Sequence, residues 1–188
     1  TLADGAHSIF AADVDGDGDV DVLSVSDQDD TAAWYENDGS QSFTERIITT
    51  LADGAAFVFA TDVDGDGDVD VPWTSYAMDT VAWYENDGSQ SFTERIITTL
   101  ADGALSVFAT DVDGDGDVDL LSASWEDDTF AWYENDCGTL APTGSFAPTT
   151  APTVTQQPSV SPTPRSTVRC TSVAFSERVI TTLADGAQ

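Results

Sequence analysis

The residues best suited to chemistry are aspartates that recur at alternating positions of an acidic loop. The sequence DVDGDGDVD occurs at residues 13–21, 62–70 and 111–119. Each copy has aspartate at positions 1, 3, 5, 7 and 9 and glycine at positions 4 and 6. This alternation lets a tight loop direct successive carboxylates inward, and the glycine at position 6 allows a turn that a Cβ would hinder. The pattern predicts a site for a hard divalent cation.

Ca²⁺ is the ion that this oxygen-only ligand set favours. The loops contain no histidine or cysteine, and Mg²⁺ tolerates all-protein carboxylate cages poorly. We expect about three Ca²⁺ ions, one per loop, with carboxylates at positions 1, 3, 5 and 9 and a backbone carbonyl at position 7. The predicted carboxylate ligands are Asp13, Asp15, Asp17, Asp21, Asp62, Asp64, Asp66, Asp70, Asp111, Asp113, Asp115 and Asp119. The predicted carbonyl ligands are Asp19, Asp68 and Asp117.

An EF-hand and a solvated acidic turn are weaker interpretations of these loops. An EF-hand needs a glutamate at position 12 followed by a helix, whereas position 12 holds Ser24, Trp73 or Ser122 and the next residues alternate like a strand. A solvated acidic turn would place five carboxylates about 8 Å apart, and each pair would repel by roughly 2 kcal/mol at a dielectric constant of ~20. A bound cation removes that repulsion, and the aspartate at position 9 is expected to close the cage.

The loops belong to a repeat with a period of 49 residues, which also returns the sequence WYEND at residues 34–38, 83–87 and 132–136. Hydrophobic and β-branched segments separated by Asp-Gly turns predict four strands per repeat, and no segment shows helical periodicity. In the first repeat the predicted strands are His7–Ala12, Val20–Ser26, Thr31–Asn37 and Phe43–Thr50. Four strands in a repeat of this length match a propeller blade. We predict an all-β fold of three four-stranded blades, as a partial or open β-propeller.

A segment of different composition interrupts the third repeat. The last predicted strand resumes at Phe175, and residues 138–169 hold six of the seven prolines and no acidic residue. Such a tract buries too little apolar surface to offset its ordering entropy, so we expect it to be extended. We divide the chain into a three-blade domain, residues 1–136 and 175–188, and a Pro/Thr/Ser-rich inserted loop or linker, residues 137–174.

The two cysteines, Cys137 and Cys170, stand at the ends of this insertion. A disulfide between them would hold the ends of the insertion together, and in the chain-entropy model it would contribute roughly 3–4 kcal/mol. The alternative is two unrelated thiols, or cysteines whose partners lie outside this chain. We predict the disulfide, since the chain otherwise has an extracellular character.

The repeats resemble FG-GAP/VCBS-type repeats, the blades of integrin-α-like β-propellers, whose DxDxDGxxD loop joins the first two strands. The resemblance covers residues 1–136 and 175–187. It implies Ca²⁺ at the carboxylates of each loop, as the spacing also predicts. The FG and GAP sequences are replaced here by FA and by SVS, TSY or SAS, which makes the repeats more similar to the broader VCBS-like group. A closed propeller has typically 4–8 blades, so three blades predict further blades in a parent chain or self-association through the end blades.

Composition excludes several kinds of partner. The 188 residues include 35 acidic residues and 5 arginines without lysine, for a formal net charge of −30. Nucleic acid and anionic membranes need clustered cations, so neither is an expected partner. No apolar segment approaches the ~20 residues of a membrane-spanning helix. The chain begins at Thr1 without a signal-peptide pattern, which suggests a processed or excised piece.

The remaining candidate residues favour packing over catalysis. Neighbouring Trp and Tyr of each WYEND sequence point to opposite faces of a strand, which predicts core packing between blades more strongly than a sugar-stacking platform. Trp125 is expected in the loop after the second strand, where an exposed ring could contact a ligand, and local packing of this ring is the alternative. His7 is the sole histidine, and it has no neighbouring nucleophile, so we predict no catalytic residues and no enzyme.

We therefore expect a calcium-binding, secreted or cell-surface module with a structural, adhesion or recognition role toward an unidentified protein or glycan. The sequence identifies no ligand-binding residue. Two alternatives stay open: a fragment of a propeller-based polysaccharide-active enzyme, and a passive acidic calcium buffer.

Overall fold

The computed structural model describes residues 3–136 and 173–182, which form twelve β-strands and no helix. The strands are β1 Ala6–Ala12, β2 Asp21–Ser26, β3 Thr31–Asn37, β4 Phe43–Thr49, β5 Ala55–Val58, β6 Val71–Ser75, β7 Thr80–Asn86, β8 Phe92–Thr98, β9 Ala104–Thr110, β10 Asp119–Ser124, β11 Thr129–Asn135 and β12 Phe175–Thr182. In the first repeat each observed boundary lies within one residue of the predicted one. The all-β prediction is confirmed.

Each repeat forms one antiparallel four-stranded sheet. Sheet I has the order β1-β2-β3-β4, sheet II β5-β6-β7-β8 and sheet III β9-β10-β11-β12. The hairpin between the second and third strands of each sheet turns on an aspartate with positive φ, namely Asp30, Asp79 or Asp128. Aspartate adopts this left-handed conformation more readily than most residues. The prediction of four strands per repeat is confirmed, and no closed sheet is present among the described residues.

Every sheet has two different faces, which the cross-strand pairs define. The tryptophan face carries Trp34, Trp83 or Trp132, and in sheet I its rows pair Phe10 with Leu23 and Trp34. The tyrosine face carries Tyr35, Tyr84 or Tyr133, and in sheet I it also includes Ile9 and Ser24. These faces follow from strand geometry, because successive side chains point to opposite sides.

The sheets stack with the tryptophan face of one against the tyrosine face of the next. One core cluster combines Leu23, Ala32 and Trp34 of sheet I with Val58 and Trp73 of sheet II. The second combines Val81 of sheet II with Val107, Leu120 and Tyr133 of sheet III, with Phe57 and Phe59 packed against it. The middle sheet is therefore covered on both faces, which confirms the expectation that Trp34 and Trp83 are core residues.

Pro72 disturbs the pairing of β6, as a residue without an N–H must. The β5–β6 ladder ends at the Val58–Trp73 pair and returns as an isolated bridge between Thr61 and Asp70. The amide of Phe59 still donates to the carbonyl oxygen of Pro72 at 2.8 Å. As a result β5 has four residues, whereas β1 and β9 each have seven.

The strand after the insertion completes sheet III. β12 pairs with β11 from Asn135–Phe175 to Thr129–Thr182. The predicted disulfide between Cys137 and Cys170 and most of the insertion, residues 137–172, lie outside the described residues. The disulfide and the division into a repeat domain and an inserted loop stay predictions. Within the described ranges, no helix is long and apolar enough to cross a membrane.

Candidate metal centres

Three groups of carboxylates come together in the loops between the first and second strands. In each group the side chains at positions 1, 3 and 5 place one carboxylate oxygen apiece within 4.8 Å of the others. The groups are Asp13, Asp15 and Asp17; Asp62, Asp64 and Asp66; and Asp111, Asp113 and Asp115. The structure thus brings together nine of the twelve carboxylates that the sequence predicts as ligands.

Backbone amides hold each loop in its turned conformation. Asp13 accepts the amide N–H of Gly16 at 2.9 Å through Oδ1 and that of Gly18 at 3.0 Å through Oδ2. The amides of Asp17 and Asp19 donate to Asp15 Oδ1 and Asp17 Oδ1 at 3.2 Å and 2.8 Å. Gly18 has φ of 98°, which strongly favours glycine. The loop conformation is encoded by its own aspartates and glycines.

The donor set fits a hard divalent cation. Three carboxylates converge at each centre, and carboxylate oxygen is the ligand type that Ca²⁺ prefers. An Asp64 side chain that is 5% exposed sits in the second group beside two further acids. A buried carboxylate close to like charges is costly without a counter-charge. The centres are therefore suitable for a hard divalent cation such as Ca²⁺.

The aspartates at position 9 are not members of these groups of three, and they clamp the loop to the sheet. Asp21 is fully buried, accepts the amide N–H of Val14 at 2.9 Å through Oδ2 and accepts that of Asn37 at 2.8 Å through Oδ1. Asp70 and Asp119 make the same two bonds in their own repeats. This joins loop position 2 to the end of the third strand. A ligand role for Asp21, Asp70 and Asp119 stays a prediction.

The asparagine of each WYEND sequence completes this clamp, and sequence reasoning missed it. Asn37 Nδ2 donates to the carbonyl oxygen of Val20 at 3.1 Å, and Asn86 and Asn135 bond Val69 and Val118 in the same way. Asn135 Nδ2 also donates to the carbonyl oxygen of Val63 at 3.0 Å. The invariant spacing of aspartate position 9 and this asparagine, 16 residues apart, was the signal that could have identified the pair.

At position 7 the carboxylate points away from the group and lies against the turn before the fourth strand. A Cβ added at Gly39 would overlap the Asp19 carboxylate, and one at Gly88 would overlap that of Asp68. Both glycines also have positive φ. Asp19 is half-buried here. The carbonyl ligand role of Asp19, Asp68 and Asp117 stays a prediction.

Burial gives the second loop a different electrostatic character. Desolvation, reinforced by Asp66, raises the pKa of Asp64 to about 6. Desolvation also raises the pKa of Asp70 to about 8, although two amide N–H groups bond its carboxylate. In the first loop desolvation raises the pKa of Asp15. These are carboxyl groups whose ionised form a bound cation would stabilise.

The other residues singled out from the sequence occupy structural or exposed positions. His7 Nδ1 lies 3.0 Å from the carbonyl oxygen of Ala56, which links sheets I and II. Trp125 is 59% exposed at the β10–β11 turn, as predicted. Arg46, Arg95 and Arg178 form ion pairs with Glu36, Glu85 and Glu134 on the edge strands.

The fold and the loops define a class of repeat proteins in which each repeat is a four-stranded β-sheet with an aspartate-rich loop between its first two strands. The family model of the FG-GAP-like repeat matches residues 13–73 and 62–122, two overlapping matches that together cover more than half of the chain. Each match runs from position 1 of one acidic loop into the strand after the next loop. The chain belongs to the FG-GAP-like repeat family, which confirms the resemblance. A comparison with curated proteins found no match.

Proposed function

We propose that the protein is a calcium-stabilised, extracellular module of propeller-like blades with a structural or recognition role. The observation that carries the proposal is the convergence of three carboxylates in each of three equivalent loops. Family membership supports it independently. Millimolar calcium outside the cell would saturate even weak sites of this kind.

In this proposal the carboxylates at positions 1, 3 and 5 are the principal ligands of each ion. The ion would neutralise the repulsion among them and fix the loop that joins the first two strands. The buried aspartate at position 9 would transmit this order to the sheet, because it bonds both the loop and the third strand. Calcium would then have a structural role, because it orders the loop and, through the aspartate at position 9, the sheet of the same repeat.

Calorimetric titration of the chelator-treated chain with CaCl₂ tests the metal assignment. We expect about three ions per chain and a melting temperature that rises with calcium, because a ligand of the folded state stabilises it by mass action. Asp62→Asn/Asp64→Asn/Asp66→Asn should remove one ion, and Asp53→Asn, at an exposed position outside the loops, should remove none. Many weak sites would favour a passive acidic buffer, and an unchanged melting temperature would contradict the proposal.

The recognition role has a candidate surface at the hairpin turns opposite the metal loops. The repeats differ in sequence here, and the turn position held by Asp27 in sheet I holds Tyr76 in sheet II and Trp125 in sheet III. Tyr76 and Trp125 are exposed. Tyr76 OH donates to Asp27 Oδ2 at 3.2 Å, so neighbouring turns contact each other. Exposed aromatic rings beside hydrogen-bonding groups suit a glycan or a protein surface.

A glycan array with the wild-type chain and Trp125→Ala tests this role. We expect binding that Trp125→Ala reduces and that Leu100→Ala, at another highly exposed apolar residue, leaves unchanged. Turnover of an acidic polysaccharide by the chain would instead favour a polysaccharide-active enzyme. Equal binding by both variants would remove the turn surface from the proposal.

A further inference from the structure

The two ends of the stack expose faces that are buried everywhere else in the molecule. On the tyrosine face, Ile9 of sheet I is 72% exposed, whereas its counterparts Val58 and Val107 are 1% exposed. On the tryptophan face, Phe130 of sheet III is 52% exposed, whereas Ala32 and Val81 at the same position are buried. The exposure therefore follows position in the stack and not the polarity of the side chain.

The open faces belong to opposite types, and these are the two types that pack together inside the chain. The open tryptophan face of sheet III consists of Phe108, Leu121, Ala123, Phe130 and Trp132. On the open tyrosine face of sheet I, Ile9 is exposed, Val22 and Tyr35 are half-buried, and the small side chains of Ser24 and Ala33 between them are buried. The same combination of faces forms both internal junctions. An identical partner would thus meet a surface of the kind that the chain already covers twice.

Aromatic packing runs through the stack and ends at an open face. Phe10 and Phe59 of neighbouring sheets have ring centroids 4.5 Å apart, and Phe59 and Phe108 have centroids 5.2 Å apart. Phe108 is half exposed, because no further sheet follows it among the described residues. In a second copy the ring that would continue this row is Phe10.

Side-chain sizes at the two faces are complementary. At the first junction the small Ala32 of the tryptophan face shares its cluster with the large Trp73 of the tyrosine face. At the second junction the larger Val81 is combined with the tyrosine face that holds Ser122. The open faces would combine the large Phe130 with the small Ser24, which keeps the total volume in the range that close packing needs.

We propose that the open tryptophan face of one chain binds the open tyrosine face of a second copy, head to tail. Such a heterologous contact leaves one open face at each end, so it continues into a closed ring or an open filament. A formal charge of −30 on each chain opposes the approach of two copies. Association is therefore expected to strengthen as salt screens this repulsion.

Multi-angle light scattering and sedimentation of the whole chain, in calcium at 0.15 and 0.5 M NaCl, measure this association. We expect the wild-type mass to rise above the monomer mass of 19.8 kDa with increasing concentration. Phe130→Glu and Ile9→Glu should each weaken association at least about thirtyfold, as charges placed in a packed interface do. Ile96→Glu is the matched control, because Ile96 is 58% exposed on the middle sheet, whose faces are already covered.

Mixing the two variants separates a head-to-tail contact from a symmetric one. Phe130→Glu keeps an intact tyrosine face and Ile9→Glu keeps an intact tryptophan face, so an equimolar mixture should give a heterodimer of twice the monomer mass.

Phe130→Ala, which adds no charge, should also weaken association, and an unchanged circular dichroism spectrum shows that each variant is folded. A wild-type chain that stays monomeric at several hundred micromolar, as coverage by residues 138–169 of the same chain would produce, overturns the proposal. A single variant that still dimerises alone also overturns it.

Discussion

The loops at residues 62–70 and 111–119 have the same nine residues but different surroundings. In the second repeat Asp64 is buried and its neighbours Asp62 and Asp66 are half-buried, whereas the equivalent aspartates of the third repeat are all exposed. The difference arises from sheet III, whose Asn135 bonds the carbonyl oxygen of Val63 in the second loop. Position in the stack therefore determines the electrostatics of a loop whose sequence is fixed.

The largest expected effect tests what the two loops share. Asp70→Ala and Asp119→Ala each remove a buried carboxylate and leave two amide N–H groups without their acceptor. Both should lower the free energy of unfolding by about 3 kcal/mol or more. Urea denaturation with and without calcium measures the loss. Asp53→Ala is the exposed control, and a loss below about 1 kcal/mol at either buried position would contradict the clamp.

Acid–base behaviour should separate the loops next. The folded-state pKa of Asp64 is about 6, above its usual value of 3.8. The folded chain therefore binds the Asp64 proton more tightly than the unfolded chain does. The stabilisation of the fold by this proton is complete below about pH 4 and is lost as the pH rises through 6. The metal-free chain should melt a few degrees higher at pH 4.5 than at pH 7.

Matched variants assign this pH dependence to one loop. Asp64→Asn should reduce it, and Asp113→Asn, the exposed counterpart, should leave it unchanged. Saturating calcium should reverse its direction, because the ion stabilises the carboxylate form. Scanning calorimetry over this pH range measures all three chains. An equal change in both variants would show that burial does not distinguish the loops.

A smaller effect should come from the bond that links the second loop to sheet III. Asn135→Asp removes donation to the carbonyl oxygens of Val63 and Val118, whereas Asn86→Asp removes donation to Val69 alone. Both asparagines are buried, and Asn86 Oδ1 also accepts the amide N–H groups of Gly88 and Gln90, which an aspartate at that position can keep. We expect Asn135→Asp to be the more destabilising by about 1 kcal/mol in urea denaturation. Equal losses would mean that the bond between repeats adds nothing to stability.

The smallest effect concerns the ion pairs at the edges of the middle and outer sheets. Arg95→Ala and Arg178→Ala each break an exposed pair, and such pairs contribute at most about 1 kcal/mol. Arg178 also lies 4.8 Å from the centroid of the Trp132 ring, so its loss should be slightly larger. Thermal melts in 0.1 M and 1 M NaCl measure both. A larger loss for Arg95→Ala would contradict the contribution of the ring.

The sequence predicted the local features of the fold because they depend on nearby residues. Alternating polarity and Asp-Gly turns are properties of single strands and hairpins, and they located four strands per repeat with small boundary errors. The irregular pairing at Pro72 is local in the same sense, because the missing N–H disrupts pairing wherever that strand lies. The convergence of positions 1, 3 and 5 was predictable for the same reason, because the loop holds itself together.

Features that depend on neighbouring repeats could not be predicted from one repeat. Ser24, Trp73 and Ser122 occupy the same position, and the burial of Trp73 depends on the sheet that packs against it. The double role of Asn135 requires knowledge that sheet III reaches the second loop. The clamp at position 9 was missed because a carboxylate in an acidic loop suggests a ligand before it suggests an acceptor for amides.

The fourth strand of each sheet is a largely exposed edge strand. β12 pairs with β11 alone, and its described side chains from Ser176 to Ile180 are exposed. The insertion between β11 and β12 therefore does not interrupt a buried strand of either core cluster. This makes the outer hairpin the position at which a repeat tolerates added sequence, and it offers a place for fusing a reporter or a second domain without redesigning the stack.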